Sequence, residues 1–295
     1  MDVNGSQKDN SALATEQVME IPLAQLHPFE GHPFKVQDDD ALLEMAESIR
    51  QYGVLVPGIV RPDPDGGYEM IACHRRHRAS QLAGKETMPV IIRDMDDNAA
   101  IIIMVDSNLQ RENILPSERA FAYRMKLDAM KRQRKQEAVL SQVGTKPDRA
   151  DELLAQQVGS SRNQVQRYIR LTELIPQLLD MVDEKKIALN PAYELSFLKK
   201  PEQEMLLMTM DYEQATPSLS QAQRMKKLSQ EGKLTEDAML GIMSEVKKGE
   251  LDKVTFTSDT LRKYFPRNYT PQKMQDTIIK LLEQWQRKRQ QQQQR

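Results

Sequence analysis

The chain has 295 residues, of which 39% are hydrophobic and 29% charged, and its net charge is −1. A near-neutral charge excludes a uniformly basic nucleic-acid coat but leaves room for a local basic patch. The single cysteine excludes an intrachain disulfide and a cysteine-based zinc site, and 12 glycines with 15 prolines are too few for one large β-sandwich or barrel. We expect a mostly helical chain of about two or three domains.

Hydropathy and cysteine usage also bear on location. No apolar run is long enough to cross a membrane, and the N-terminus lacks the basic and apolar regions of a secretory signal. These features predict a cytoplasmic protein without a membrane partner.

The first part of the chain predicts a small α+β domain. Residues 1–17 are polar without periodicity and are expected to be disordered. Asp38 to Asp40 can cap a helix that Gly53 ends. Extended segments and helices then alternate across residues 18–115, with predicted strands near 18–28, 56–62, 68–73 and 88–95 and predicted helices at 38–53, 74–84 and 97–111.

The remainder is predicted to be mostly α-helical. A helix follows Pro116 with Ser117 as its N-cap, and residues 116–230 are expected to form a helix-turn-helix DNA-binding domain. Residues 231–295 are expected to be a helical C-terminal region with a short extended stretch at 253–259. The last helix carries an apolar stripe that can pair with a second copy of the chain, formed by Met274, Ile278, Leu281, Leu282 and Trp285.

Residues 153–171 have the pattern of two short helices joined by a tight turn at Gly159. Polar and basic side chains cover the second helix, and such side chains reach base edges and phosphates in a major groove. The candidate DNA-binding residues are Ser161, Arg162, Asn163, Gln164, Arg167 and Arg170. An ordinary helical hairpin with a polar surface is the alternative. Basic residues on both sides, at 131–135 and 224–227, favour DNA.

Residues 68–84 combine a strand that ends at Cys73 with a helix that begins at about His74. Free N–H groups at a helix start, with Arg75, Arg76 and Arg78 beside them, can hold a polyphosphate. His74 is expected to be an anion or surface contact rather than a metal ligand. The alternative is a surface helix whose arginines pair with acidic side chains.

A third polar cluster lies at a helix end before Pro116 and comprises Asn108, Gln110, Arg111 and Glu112. Asn108 and Glu112 are one helical turn apart and can share a hydrated Mg²⁺ beside a nucleotide. The alternative is a polar hinge between domains.

Four segments, in this order, resemble the ParB family of partition proteins. They are ALLEMAESIRQYGVLVPGIVRP, YEMIACHRRHRASQLAG, DSNLQRENILPSERAFAY and LLAQQVGSSRNQVQRYIRLTELIP. The resemblance covers roughly residues 18–198. It implies a ParB/sulfiredoxin-like N-terminal domain, a helix-turn-helix domain and a C-terminal helical region.

The resemblance also implies a function. Such proteins bind a palindromic, centromere-like DNA site, bind CTP with Mg²⁺, close as a clamp and spread along DNA at the nucleoid. It implies a homodimer and a ParA-type ATPase partner. The backbone around Gly53, Leu55 and Pro57 would face the cytosine, Arg75, Arg76 and Arg78 the phosphates, and Asn108 and Glu112 the triphosphate and metal, supported by Gln110 and Arg111.

The sequence departs from the family pattern beside the phosphates. Cys73 replaces a glycine, and His74 and Ser107 replace glutamates, so we expect hydrolysis of CTP to be slow. One alternative is a helix-turn-helix transcription or nucleoid factor that does not hydrolyse nucleotide. Another is a sulfiredoxin-like enzyme in which Cys73, at a helix start beside arginines, has a lowered pKa.

Overall fold

The computed structural model describes residues 17–111, 113–140, 149–245, 261, 264–266 and 269–293, without the side chains of 137–140, 271 and 285–293. The chain divides into two compact units, 1–244 and 245–295. The predicted disorder of residues 1–17 and the extended stretch at 253–259 fall almost entirely outside the described residues.

A mixed five-stranded sheet forms the centre of the N-terminal part. Its strands lie in the order β1-β5-β3-β4-β2. β1 is antiparallel to β5 and β3 to β4, whereas β3 is parallel to β5 and β2 to β4. The strands are β1 (Val18–Pro22), β2 (Leu26–Pro28), β3 (Gly58–Pro62), β4 (Tyr68–Ala72) and β5 (Thr87–Ile92).

Three helices flank this sheet: α1 (Asp40–Tyr52), α2 (His74–Leu82) and α3 (Asp97–Leu109). Neighbouring residues of β4 face opposite sides, since Met70 packs with Val60 and Val90 while Ile71 packs against α3. Asp39 caps α1 by accepting a hydrogen bond from the Leu42 backbone N–H, and Gly53 ends the helix with a φ of 74°. The predicted α+β fold and both ends of α1 are confirmed.

Helix α4 (Pro116–Leu140) belongs to both halves of the first unit. Its Ala122 and Ala129 pack with residues of α3, whereas Tyr123, Leu127 and Met130 pack with the helices that follow. The predicted boundary at residue 115 therefore does not separate two independent cores.

The predicted cap of α4 is wrong. The helix already includes Pro116. The Ser117 backbone N–H and hydroxyl both donate to the Asp183 carboxylate instead, at 2.9 Å for the backbone N–H. The Glu118 carboxylate accepts from the Leu115 N–H at 3.1 Å and so satisfies one open donor at the start of the helix.

Seven further helices complete the first unit: α5 (Ala150–Gln157), α6 (Arg162–Arg170), α7 (Pro176–Asp183), α8 (Leu189–Leu195), α9 (Lys200–Glu213), α10 (Leu219–Gln230) and α11 (Glu236–Met243). Helices α7 to α11 share a core that includes Leu178, Leu195, Leu206, Met225 and Met239, each fully buried. Because α11 contributes to this core, the predicted boundary at residue 230 lies inside the compact unit, which extends to Ser244.

The second unit contains α12 (Pro271–Gln293). Its apolar residues include Ile279, Leu281 and Leu282, which are exposed. None of the described helices is long and apolar enough to span a lipid bilayer.

Candidate functional site

A cavity of about 690 Å³ opens beside the start of α2. Ten of its fourteen lining residues are polar or charged, and they come from the segment before α1, from α2, from the end of α3 and the residues after it, and from the start of α4. The lining residues are Lys35, Gln37, Asp39, Met45, Ala72, Cys73, Arg75, Arg76, Ser107, Asn108, Arg111, Asn113, Leu115 and Glu118. The structure thus brings members of both predicted polar clusters to one cavity, Arg75 and Arg76 from the first and Asn108 and Arg111 from the second.

The three arginines of α2 have different partners. Arg75 pairs with Asp39 at 2.7 Å, and Arg78 pairs with Asp38 at 2.6 Å. Arg76 donates to the Val56 carbonyl. Arg75 and Arg76 line the cavity, whereas Arg78 is outside its wall.

Asn108, in the last turn of α3, and Arg111, just after that helix, also line the cavity. The Arg111 guanidinium lies 5.7 Å from the centre of the Phe34 ring. Burial, and then the charge of Arg75, lower the pKa of Arg111. Asn108 is buried and its side-chain nitrogen donates to the Met104 carbonyl at 2.8 Å. Two guanidinium groups close enough to influence each other make this wall electropositive, a setting that suits an anion.

The other predicted nucleotide residues lie outside this wall. Leu55 is 79% exposed, and the Pro57 carbonyl faces the Cys73 thiol at 3.8 Å. Gln110 lines a different cavity, of about 730 Å³, together with Gln164 of α6. Gly53 serves as the C-cap of α1, and Glu112 lies outside the described residues.

His74 is buried, which corrects its interpretation as a surface or anion contact. Its ring packs 3.8 Å from that of His32, and its Nε2 accepts from the Phe29 N–H at 3.4 Å. Burial, and then the neighbouring His32, Arg111 and His77, lower the pKa of His74 to about 3. The ring is therefore neutral at pH 7 and supports the start of α2 from within.

Cys73 is the N-cap residue of α2 and has a left-handed backbone with a φ of 85°. This conformation suits the glycine of the family pattern better than a cysteine. Burial raises the pKa of the Cys73 thiol despite the nearby Arg76 and Arg111. The lowered pKa on which the sulfiredoxin-like alternative depends is therefore absent, because desolvation outweighs the arginine charges.

The polar lining residues that the sequence does not predict as part of the site include Lys35, Gln37, Asn113 and Glu118. The Lys35 backbone N–H donates to the Glu118 carboxylate at 2.7 Å across 83 residues of chain. Such a contact depends on tertiary packing and leaves no local spacing signal. Among the residues that the structure describes, no group of three histidine, cysteine, aspartate or glutamate side chains is arranged to hold a metal.

The second candidate site is the pair α5–α6. Gly159 makes the turn with a φ of 62°, and the Ser161 hydroxyl caps α6 by accepting from the Gln164 N–H. Leu154 and Val165 are fully buried against α4. The predicted helix–turn–helix geometry is present, and α6 presents its polar face away from that core.

The polar residues of α6 differ in their contacts. Ser161, Arg162, Asn163 and Arg167 are exposed, whereas Gln164 and Arg170 are partly buried. Arg162 pairs with Asp151 of α5, and Arg167 donates to Asn190 at 3.1 Å. Arg170 lies 4.4 Å from the centre of the Phe197 ring and donates to the Ser196 carbonyl at 3.0 Å. Arg170 thus ties α6 to α8.

Known proteins are similar in sequence to this chain over more than half of its length. It is 34% identical over 182 residues to the chromosome-partitioning protein Spo0J of Thermus thermophilus, an alignment that covers 62% of this chain and 61% of that protein. It is 34% identical over 193 residues to the nucleoid occlusion protein of Listeria innocua, covering 65% and 62%. The chain therefore spans about three fifths of the length of these curated relatives.

A solved structure of C-terminally truncated ParB from Caulobacter crescentus, complexed to the centromeric parS site, matches with a TM-score of 0.42 and 24% identity. The match covers 71% of this chain and 98% of that one.

Two family models match consecutive parts of the chain. Residues 7–109, which include the five-stranded sheet, match the ParB N-terminal domain. Residues 136–230, which include α5 and α6, match the ParB HTH domain. With both domains in the family's order and three of the four motifs inside them, the chain belongs to the ParB family.

Proposed function

We propose that this protein is a DNA-binding partition protein that recognises a palindromic duplex and is regulated by CTP. The observation that carries the proposal is the α5–α6 pair, whose exposed Arg162, Asn163 and Arg167 are the side-chain types that read base edges and phosphates. The arginine-lined cavity in the same compact unit supports the nucleotide part.

Substitution of the base-reading residues tests the DNA part. We expect Arg162→Ala and Gln164→Ala each to cost about 1–3 kcal/mol of specific binding and much less of non-specific binding. Gel shifts with a duplex selected from a random-sequence library, and with an unrelated duplex, measure both. Gln157→Ala, in α5, is the control. An unchanged specific-to-non-specific ratio in both variants would contradict the assignment.

The nucleotide part combines charge with the family resemblance. Arg75, Arg76 and Arg111 offer three cations to a triphosphate, and α2 begins beside them. Asn108, with an amide oxygen, and Glu112 would hold Mg²⁺, which offsets phosphate charge when bound. The preference for cytosine rests on the family motifs alone.

Calorimetry with the four ribonucleoside triphosphates, with and without the selected duplex, tests this part. We expect CTP to bind in preference to ATP and Arg76→Ala to abolish binding. Hydrolysis should be slow because a buried neutral His74 and an uncharged Ser107 stand where the family has carboxylates. Equal affinity for ATP and CTP, or none for either, would contradict regulation by CTP.

Assembly is part of the same proposal. A palindromic site mirrors a two-fold axis, so the protein would act as a homodimer. The family resemblance adds a ParA-type ATPase partner and action at the nucleoid.

A nucleoid or transcription factor without nucleotide hydrolysis is the second candidate. The replacement of the family's glutamates by His74 and Ser107 favours it. Absence of CTP turnover, together with sequence-specific binding, would select this candidate.

A further inference from the structure

The second half of α4 carries a concentrated positive charge in a chain whose net charge is −1. A surface cavity of about 660 Å³ is lined there by six basic residues and only two acidic ones, Asp128 and Asp151. The basic residues are Lys131, Arg132, Arg134, Lys135, Arg149 and Arg162. We call these six residues the α4 basic patch.

The patch is held beside α6. Arg162 and Gln166 of α6 line the same cavity as the α4 residues. Leu127 and Met130, on the same half of α4, pack with Leu154 and Val165 of the α5–α6 pair. Since one buried cluster joins the two elements, the patch and α6 keep a fixed relation to each other.

The members of the patch differ in the contacts that their charged groups already make within the protein. Arg132 donates to Asn98 at 2.8 Å, and Arg162 pairs with Asp151. Lys131 has a loose contact of 3.9 Å to Asp128 and a side chain that is 56% exposed. Lys135 is also exposed and lies one helical turn further along, so both lysines can meet an anion from solvent.

Lys131 and Lys135 lie in the segment between the two regions that match family models, which end at 109 and begin at 136. We propose that the α4 basic patch, apart from Arg162, binds the phosphate backbone of the duplex next to the bases that Arg162 and the rest of α6 read. The inference rests on the proposed DNA-binding function. A repeating line of phosphates is the partner that matches a row of cations beside a base-reading helix.

Salt dependence distinguishes this role from base reading. The test compares the full-length protein with the double variant Lys131→Ala/Lys135→Ala across a range of KCl concentrations. Fluorescence anisotropy follows binding to the duplex selected from the random-sequence library and to an unrelated duplex of equal length. The control is Lys186→Ala/Lys233→Ala, which removes the same charge from two exposed lysines outside the patch.

We expect the patch variant to bind both duplexes more weakly and by the same factor. The slope of log K against log salt should become shallower by about 1.8, which is about 0.9 for each phosphate that a lysine no longer neutralises. The control should keep the wild-type slope.

An unchanged slope in the patch variant, or an equal change in the control, would overturn the inference while the proposed function stands. Failure of the wild-type protein to bind any duplex would contradict the proposed function instead.

Discussion

Asp39 serves two structures at once. Its carboxylate accepts from the Leu42 N–H at the start of α1 and pairs with Arg75 of the cavity. The Arg75 guanidinium holds the pKa of Asp39 below its usual value. Exposed pairs of this kind are weak, so a triphosphate can compete for Arg75.

Asp39→Asn should therefore strengthen triphosphate binding by about two- to fivefold. Asparagine is as good an N-cap as aspartate, so α1 should remain intact while the competing charge is removed. Calorimetry with CTP measures the change. Asp38→Asn is the matched control because Asp38 pairs with Arg78, outside the cavity wall. Weaker binding in Asp39→Asn would indicate that Asp39 contributes to the site.

Burial of His74 predicts a loss of stability in acid. Its pKa of about 3 lies below that of an unfolded histidine, near 6.5, so the unfolded chain binds the proton more readily. Stability from this residue is complete above pH 6.5 and declines as the pH falls toward 3. Urea unfolding at several pH values measures the decline.

His74→Gln is the informative variant, because the amide oxygen of the glutamine can accept from the Phe29 N–H and the glutamine side chain does not titrate. Its stability should fall less steeply in acid than that of the wild type. His32 and His77, whose pKa values burial also lowers, remain as a background in both proteins. Equal slopes would contradict a specific role for His74.

The sequence predicts the charges of the site better than their surroundings. Of the three predicted phosphate contacts, Arg75 and Arg76 line one cavity with Arg111, the predicted supporting residue, whereas Arg78 is outside its wall. His74 was misjudged because its burial depends on His32 and Phe29, which approach from 42 and 45 residues away. Local spacing identifies which groups can bind, whereas tertiary packing decides which of them reach solvent.

At the scale of elements, glycine and aspartate at the ends of helices were reliable signals. Asp39 begins α1 as its N-cap and Gly53 ends it as its C-cap, and Gly159 makes the turn between α5 and α6. The failure at Ser117 has a physical cause: Asp183, distant in sequence, takes the hydrogen bonds that a local cap would make.

The ring of Phe197 contacts a basic side chain of α6 and one of α10, and these contacts are expected to stabilise the position of α6. Phe197 lies beside the cations of Arg170 and Lys226, at 4.4 and 3.7 Å from the ring centre. Each contact of this kind contributes about 0.5–1 kcal/mol. Phe197→Leu should lower the unfolding free energy by about 1–2 kcal/mol in urea titrations.

Phe197→Tyr keeps the aromatic face and should recover most of that stability. If the leucine and tyrosine variants are equally destabilised, shape rather than the aromatic face of Phe197 matters at this position.

At the scale of the whole molecule, the exposed apolar side chains of α12 predict that two copies of the chain associate. Leu281 and Leu282 are 58% and 57% exposed within the second unit, and Ile279 is 47% exposed. Apolar side chains on one exposed helix can be buried by the same helix of a second copy. Removal of residues 270–295 should lower the mass measured by light scattering toward that of one chain.

The charge variant Leu281→Asp/Leu282→Asp in the full chain should have the same effect, and Lys280→Ala should have none. An unchanged mass in the truncated protein would place the dimer contact elsewhere in the chain.

The shared position of α4 sets a limit on recombination between relatives. One face of this helix completes the core below the sheet and another completes the core of α5 and α6. A chimera that joins the sheet-containing half of one parent to the helix-turn-helix half of another must therefore choose one parent's α4. The chimera is expected to fold only where the chosen α4 packs well against both halves. The residues of the two halves that contact α4 are therefore expected to change together among relatives.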